Sequence, residues 1–233
     1  MKYLIAFFMV CLAAFNIVQA QQVRAVGNFS SIDCSSGVTV LLTQGAENKV
    51  TVSCSNDDFL NKIKTEVDKN GVLKIFVEYD KAMDNKKYKG ITYKAFVTFV
   101  ALQNISASSG STINTDGNVQ AELLNITVSS GAVLNASLQI NNGTIVLSSG
   151  AVATIKGKAN EISIETNSGA VVNGYEFATQ VCNAAAASGA IIKIAVDKQL
   201  NTKVSSGGSI IYKGMPQIKS IQQKSGGGVK AFK

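Results

Sequence analysis

The 233-residue sequence contains no histidine and no tryptophan, and it has a single proline and a single arginine, Arg24. Without histidine there can be no Ser-His or Cys-His nucleophile pair and no imidazole metal ligand. The formal net charge of +7 comes almost wholly from lysine, whereas nucleic-acid recognition favours arginine forks. The sequence therefore predicts no nucleic-acid partner and no cofactor, and it leaves a solubilising surface or a weak attraction to acidic surfaces as the roles of the charge.

Long hydrophobic runs are also scarce, except at the start of the chain. Lys2 precedes an apolar run from Tyr3 to about Phe15, and small or compact residues follow at Val18-Gln19-Ala20. This order of charge, apolar stretch and cleavage site is typical of a secretory signal. The run is shorter than the ~20 residues that span a bilayer, although a membrane anchor is the alternative interpretation. We predict a signal peptide at 1–20 and an exported mature chain (periplasmic, outer-membrane-associated or extracellular) without a transmembrane segment.

Cysteine is rare in the predicted mature chain, where it occurs as Cys34, Cys54 and Cys182. An exported protein can form disulfides. The alternating stretches at 38–43 and 50–54 are expected to pair as a hairpin, which would place Cys54 opposite about Thr39 rather than Cys34. The sequence leaves open whether Cys34 and Cys54 form a bridge or whether all three thiols are free and buried.

The abundant feature is the tripeptide Ser-Ser-Gly, or a near copy of it, whose glycines recur every 18 to 21 residues. It occurs at 108–110, 129–131, 148–150, 167–169, 187–189, 205–207 and 224–226. Isoleucine and valine stand on both sides of most copies, so each unit is expected to form a short strand, a corner, a second short strand and a return. Such a unit buries its apolar residues only when units stack, which predicts an all-β solenoid, a parallel β-helix of ~19-residue coils, over 104–233.

Residues 21–103 lack this period and predict an irregular, β-rich N-terminal cap on the same domain, which spans 21–233. One or two helical turns are expected within 57–67, after Asn56 or Asp57. Strands are expected at 72–77 and 91–102, the second buried on both faces. The charged stretch at 81–90 predicts a solvated loop, with a binding loop as the alternative.

Two stretches of the cap and the later Ser-Gly-Ala corners carry a resemblance. The stretches are Phe29-Ser-Ser-Ile-Asp-Cys-Ser-Ser-Gly-Val-Thr-Val40 and Val67-Asp-Lys-Asn-Gly-Val-Leu-Lys-Ile75. Together with the leader, they resemble the family of exported bacterial proteins described as putative auto-transporter adhesin, head GIN domain. The resemblance implies a right-handed, single-stranded parallel β-helix in a cell-envelope or secreted protein. The family offers no established catalytic, cofactor-binding or metal-binding residue to carry over, so none is assigned. The sequence lacks a set of ~10-residue alternating strands after the repeats, so we do not expect the chain to translocate itself.

Some β-helix proteins cleave polysaccharides, which makes the carboxylates of the repeats the candidates for catalysis. They are Asp116, Glu122, Glu161, Glu165, Glu176 and Asp197. Glycosidic cleavage needs two carboxylates about 5–9 Å apart, which stacked coils would show as acids at matching repeat positions, and none match. We therefore predict a non-enzymatic, adhesin-like binding or structural protein, whose partner is a surface glycan or another envelope protein. A carbohydrate-processing enzyme is the alternative, and carboxylates converging in a groove would favour it.

Overall fold

The structure, a computed structural model, describes residues 21–80 and 87–232, so the predicted signal peptide and the centre of the charged stretch lie outside the described residues. The chain is a β-solenoid of about seven turns, with 66% strand and 3% helix. The strands are β1 (Gln21–Arg24), β2 (Ser31–Cys34), β3 (Thr39–Gln44), β4 (Lys49–Cys54), β5 (Ile63–Val67), β6 (Val72–Val77), β7 (Tyr93–Phe99), β8 (Asn104–Ala107), β9 (Thr112–Val128), β10 (Val133–Leu147), β11 (Val152–Thr166), β12 (Val171–Ala186), β13 (Ile191–Val204), β14 (Ser209–Lys213), β15 (Gln217–Gln223) and β16 (Gly228–Ala231).

The body of the solenoid consists of β9 to β13, which stack in parallel in that order. Side chains alternate between the interior and the surface, so that Leu134 and Ala153 are paired and fully buried. The predicted parallel β-helix is thus confirmed. The predicted pair of short strands in each coil is wrong for β9–β13, which run for 14 to 17 residues, because the ladder of backbone pairs continues through most of the return.

Each Ser-Gly corner is a tight turn in which both residues have a left-handed backbone. Across the eight turns the serine φ is 48–60° and the glycine φ is 69–74°. The N–H of the next residue donates to the carbonyl three residues earlier at 2.8–3.4 Å, which makes the corner a type I′ turn. In addition, the glycine N–H donates to the serine carbonyl of the following coil at 3.0–3.2 Å, as from Gly131 to Ser149. The turns therefore form a hydrogen-bonded column along the solenoid.

The predicted hairpin between β3 and β4 is wrong, because β7 lies between these strands. β7 pairs in parallel with β3 on one side and antiparallel with β4 on the other. A local turn pattern carries no information about a strand some 50 residues away that inserts into the gap. Cys34, Cys54 and Cys182 are all buried and unbridged. β7 itself is buried on one face only, since Lys94 and Phe96 on its other face are exposed.

The N-terminal end of the solenoid is covered by antiparallel strands and one 3₁₀-helix. The helix spans Asp57–Lys62, and its N-cap residue Asn56 accepts a hydrogen bond from the Asp58 N–H. The prediction of helical turns holds to this point, but residues 63–67 form β5, which pairs antiparallel with β6. The Tyr79 hydroxyl donates to the Ser36 carbonyl at 3.3 Å. The Tyr79 hydroxyl thus donates to the first corner as a glycine N–H does to each later corner, and it ends the column of turns.

Candidate functional site

A groove of about 770 Å³ runs along the solenoid across the middle of the strands β9 to β13. We call it the lateral groove. Five of its twelve lining residues are amides, three are charged and four are apolar: Gln120, Ala121, Glu122, Gln139, Ile140, Asn141, Lys158, Ala159, Asn160, Ala178, Gln180 and Asp197. The parallel register places equivalent residues of successive coils side by side, as for Gln120, Gln139 and Lys158. The groove therefore repeats its chemistry at the coil spacing of about 4.8 Å.

A chain of side-chain hydrogen bonds organises one wall of the lateral groove. The Asn141 amide donates to the Glu122 carboxylate, and the Asn160 amide donates to the Asn141 carbonyl oxygen. A carboxamide has two N–H donors and an oxygen that can accept twice, so each asparagine in the chain keeps hydrogen-bonding capacity for a ligand. These hydrogen bonds thus hold the wall in place and still leave donors and acceptors free for a ligand.

Gln44 lies next to the first residue of the opposite wall. Its side-chain oxygen accepts from the Gln120 N–H at 2.7 Å, and its side-chain nitrogen donates to the Gln120 carbonyl at 3.2 Å. The same nitrogen also donates to the Val100 carbonyl. The side chain of Gln44 therefore satisfies backbone groups of β9 as a neighbouring strand would, and it positions Gln120 at the N-terminal end of the groove.

The carboxylates that were candidates for catalysis are not brought together in the groove. Only Glu122 and Asp197 line it, and they stand four coils apart, roughly 19 Å at about 4.8 Å per coil. Glu176 forms an ion pair with Lys156 at 3.0 Å. Asp116, Glu161 and Glu165 are exposed elsewhere. A pair at the 5–9 Å separation that glycosidic cleavage needs is absent from the lining of the groove.

Apart from Glu122 and Asp197, which were candidates for catalysis, the groove residues were not singled out in the sequence, although a signal for them exists. Asn141 and Asn160 follow Glu122 at intervals of 19 residues, and Gln180 follows after 20 more. Gln120, Gln139 and Lys158 keep the same spacing. A search for polar residues that recur with the period of the corners would have found both walls.

A second polar surface runs along the latter halves of the coil strands. Its column contains serine, threonine and asparagine in successive coils: Ser31, Asn104, Asn125, Thr144, Ser163, Asn183, Asn201 and Ser220. Asn125 donates to Asn104 at 3.2 Å, and Asn201 donates to Asn183 at 2.8 Å. We call this column the asparagine face. The lateral groove lies beside this face.

The flanks of the charged stretch are tied to the N-terminal cap. Tyr88 packs edge-on against Phe59 and Tyr79, with ring centroids 5.3 and 5.1 Å apart. Asp80 accepts hydrogen bonds from Lys62, from the Tyr88 hydroxyl and from Lys87. These donors hold the pKa of Asp80 well below its usual range, with Lys62 making the largest contribution. The described flanks thus help to fasten the cap, while residues 81–86 lie outside the described part.

Membrane-spanning helices and clusters of metal ligands are both absent from the described residues. Within 21–80 and 87–232, no helix has the length and apolar character needed to cross a membrane. Over the same ranges, no three Cys, Asp or Glu side chains come together as a potential metal site.

Comparison with solved structures finds the same solenoid in bacterial proteins described as putative adhesins. One from Bacteroides fragilis NCTC 9343 has a TM-score of 0.82 at 18% identity and covers 92% of this chain and 97% of its own. A second, from Parabacteroides distasonis ATCC 8503, has a TM-score of 0.72 at 16% identity, and the alignment covers 92% of this chain and 97% of that protein. A third, from Parabacteroides merdae ATCC 43184, has a TM-score of 0.69 at 13% identity, and the alignment covers 94% of this chain and 98% of that protein. At these identities the likeness shows the shared fold.

None of the curated proteins is significantly similar in sequence to this chain. A family match, by contrast, extends over residues 28–216 and so includes both the cap and most of the regular coils. It agrees with the resemblance that the stretches at 29–40 and 67–75 carry in the sequence. The chain belongs to the family described as putative auto-transporter adhesin, head GIN domain.

Proposed function

We propose that this protein is a non-enzymatic, adhesin-like binding protein of the cell envelope, and that the lateral groove binds an extended, hydroxyl-rich polymer such as a surface glycan. The observation that carries the proposal is the amide lining, which repeats from coil to coil along the groove. A sugar hydroxyl both donates and accepts hydrogen bonds, and a carboxamide does the same. A polymer with repeated hydroxyl groups would therefore meet similar partners in successive coils, at Gln120 and Gln139 on one wall and at Asn141, Asn160 and Gln180 on the other.

The rigidity of the wall supports the same proposal. Glu122, Asn141 and Asn160 are already linked by hydrogen bonds, so a ligand does not have to order them. Pre-organised partners reduce the entropic cost of binding. The groove lining contains no aromatic ring on which a sugar could stack, and affinity would rest on polar contacts spread over several coils. We therefore expect affinity to increase with the length of the glycan.

The enzymatic alternative is disfavoured by the separation of Glu122 and Asp197 and by the family description, which names an adhesin. The alternative of a protein partner in the envelope is supported by the asparagine face, most of whose residues are half-buried. Export is supported by the charge, apolar run and cleavage-site pattern of residues 1–20. Cell fractionation with an antibody against the mature chain tests this location, and a purely cytosolic protein would contradict it.

A glycan array probed with residues 21–233 tests the binding proposal. Any glycan that binds is then titrated calorimetrically against Asn160→Ala and Lys158→Ala in the groove, with Asn201→Ala on the asparagine face as the matched control. Each groove substitution should weaken binding by about 2- to 10-fold, as the loss of one hydrogen bond does. The control should bind normally. The proposal fails if no glycan binds, or if the control loses as much affinity as the groove variants.

A further inference from the structure

A second concavity, of about 570 Å³, lies on the outward face of the last coils. It is lined by Tyr175, Lys193, Ile211, Lys230, Ala231 and Phe232, and we call it the aromatic pocket. Its volume falls within the range of roughly 300–1,000 Å³ that is usual for small-molecule sites. Unlike the lateral groove, it has no Asn, Gln, Asp or Glu in its lining. Its chemistry is therefore apolar and cationic.

Two separate features of the fold build this pocket. The register of β12 with its neighbour β13 breaks between Gly174 and Ala178. In this irregular segment Phe177 is fully buried, while Tyr175 contributes to the outer surface. On the far side, β16 pairs with β14, and the Phe232 N–H donates to the Tyr212 carbonyl at 2.7 Å. The rings of Tyr175 and Phe232 consequently meet with their centroids 4.8 Å apart at an angle of 47°.

Positive charge flanks the apolar floor of the pocket. Lys193 and Lys230 are the register partners of Ile211 on its two sides, so the three residues form one column. Neither lysine forms an ion pair with a carboxylate of the described residues. The chain beyond Asp197 contains no acidic residue at all. Both ammonium groups are therefore available to an anion.

The third polar group is the Tyr175 hydroxyl, which makes no hydrogen bond to the part of the chain that the structure describes. Partial burial raises the pKa of Tyr175 above its ordinary value. Like any tyrosine hydroxyl, it is protonated at neutral pH and can donate a hydrogen bond to an acceptor. A donor between two cations and beside an aromatic wall is suited to a ligand with an apolar body and one anionic end.

We propose that the aromatic pocket binds a free, single-chain anionic amphiphile: an apolar chain that packs on Phe232, Tyr175 and Ile211 and ends in a carboxylate or phosphate held by the two lysines. A hydroxyl-rich ligand does not fit here, because the lining offers no amide or carboxylate to receive its hydroxyl protons. Burial of apolar surface on the rings and Ile211 supplies attraction that is insensitive to charge. The lysines add charge complementarity, which favours anions and weakens with salt.

Calorimetric titration of residues 21–233 with dodecanoate, below its micellar concentration and at low ionic strength, tests the proposal. Dodecyl phosphate serves as a second anion and dodecyltrimethylammonium as the matched cation. We expect saturable binding of one molecule of either anion, and binding of the cation at least tenfold weaker. Absence of saturable binding by both anions, or equal affinity for the cation, overturns the proposal.

Substitutions then locate the site. Phe232→Ala should weaken dodecanoate binding by roughly tenfold, because the half-exposed ring supplies much of the apolar wall. Lys193→Met and Lys230→Met should each weaken it by about 2- to 5-fold, with a smaller loss at high salt. Lys203→Met, on the asparagine-face side of the coil, is the matched control and should bind normally. Unchanged affinity in all three pocket variants overturns the assignment.

Phe232 also helps to hold β16 in place, so its substitution requires a second readout. Circular dichroism and the melting temperature show whether Phe232→Ala remains folded, and Phe232→Leu retains an apolar side chain and should bind better than Phe232→Ala. If Phe232→Leu binds no better, the ring acts only as a structural latch and the proposal fails. Co-sedimentation with anionic phospholipid vesicles distinguishes a free amphiphile from a membrane lipid as the ligand. Binding to vesicles without binding to free dodecanoate contradicts a pocket for a free amphiphile.

Discussion

The regular coils and the N-terminal cap share one sheet, yet the side-chain contacts within the two regions differ in chemistry. Four of the five ion pairs among the described residues lie in the cap, and they join Lys62, Lys64, Lys74 and Lys87 to Asp68, Glu78 and Asp80. The coils contain one ion pair, between Lys156 and Glu176. Neutral amides link the coils instead, as from Asn125 to Asn104 and from Asn201 to Asn183.

The reason for this difference lies in the stacking of equivalent residues. In a parallel solenoid, a repeated side chain has copies of itself as neighbours, about 4.8 Å away. Copies of a charged residue would repel each other, whereas a carboxamide can donate to the copy on one side and accept from the copy on the other. The cap has no repeat, so each of its side chains can meet a different partner, including one of opposite charge.

The largest expected effect concerns the close approach of backbones in the coils. Gly157 has φ +104°, and a Cβ at this position would lie 2.0 Å from the Leu138 carbonyl oxygen. Gly157→Ala should therefore lower the free energy of unfolding by about 3 kcal/mol or more, measured by urea denaturation. Gly117→Ala is the matched control, because Gly117 also has a positive φ (+80°) but a Cβ there would have no neighbouring atom within 4 Å. It should cost only about 1–2 kcal/mol. Equal losses of stability in the two variants would show that the close approach of neighbouring coils is not what requires glycine at position 157.

A smaller effect is expected where the cap meets the first coil. Tyr79→Phe removes the hydroxyl that donates to the Ser36 carbonyl but keeps the ring that packs on Tyr88. Stability should fall by about 1 kcal/mol, the usual contribution of one hydrogen bond. Hydrogen exchange should accelerate in β2 and β3 more than in β12 and β13. Uniform acceleration along the solenoid would mean that the cap does not act as the local end of the column of turns.

The contrast between amides and charges can be tested in the lateral groove itself. Asn141→Asp places a second carboxylate next to Glu122, which now accepts a hydrogen bond from Asn141. Repulsion should lower stability at neutral pH by roughly 0.5–1 kcal/mol. It should also raise the pKa of this pair of carboxylates in the folded state, so that the loss disappears as the pH falls and the pair is protonated. Asn135→Asp, exposed on the same strand, serves as the control, because the Asn135 amide donates to the neutral Asn114 and its register partners Asn114 and Thr154 carry no carboxylate. An identical pH dependence in both variants would contradict this explanation.

The ion pairs of the cap should show the opposite dependence on pH. Because Lys62, Tyr88 and Lys87 lower the pKa of Asp80, its contribution to stability is fully present above the ordinary aspartate value of about 4 and is lost as the pH falls below it. The melting temperature of Asp80→Asn should therefore fall less steeply than that of the wild type on acidification. Parallel curves would show that Asp80 adds little, as is common for exposed ion pairs.

The sequence predicted the parts of this protein that repeat. The Ser-Gly corners, the parallel stacking and the alternation of buried isoleucine and valine all follow from one spacing, because each coil obeys the same local rule as its neighbours. A serine precedes the glycine in each corner. That it shares the left-handed backbone of the glycine was not apparent, since serine seldom adopts this conformation.

The parts that occur once required the tertiary structure. β7 separates β3 from β4, and residues 63–67 pair with β6 rather than extending the helix that ends at Lys62. The aromatic pocket depends on a register break that brings Tyr175 to Phe232. Local spacing determines the scaffold because stacked coils repeat their neighbours. The cap and the aromatic pocket were decided by contacts between distant residues, for which the sequence carries no period, whereas the walls of the lateral groove recur every 19 or 20 residues.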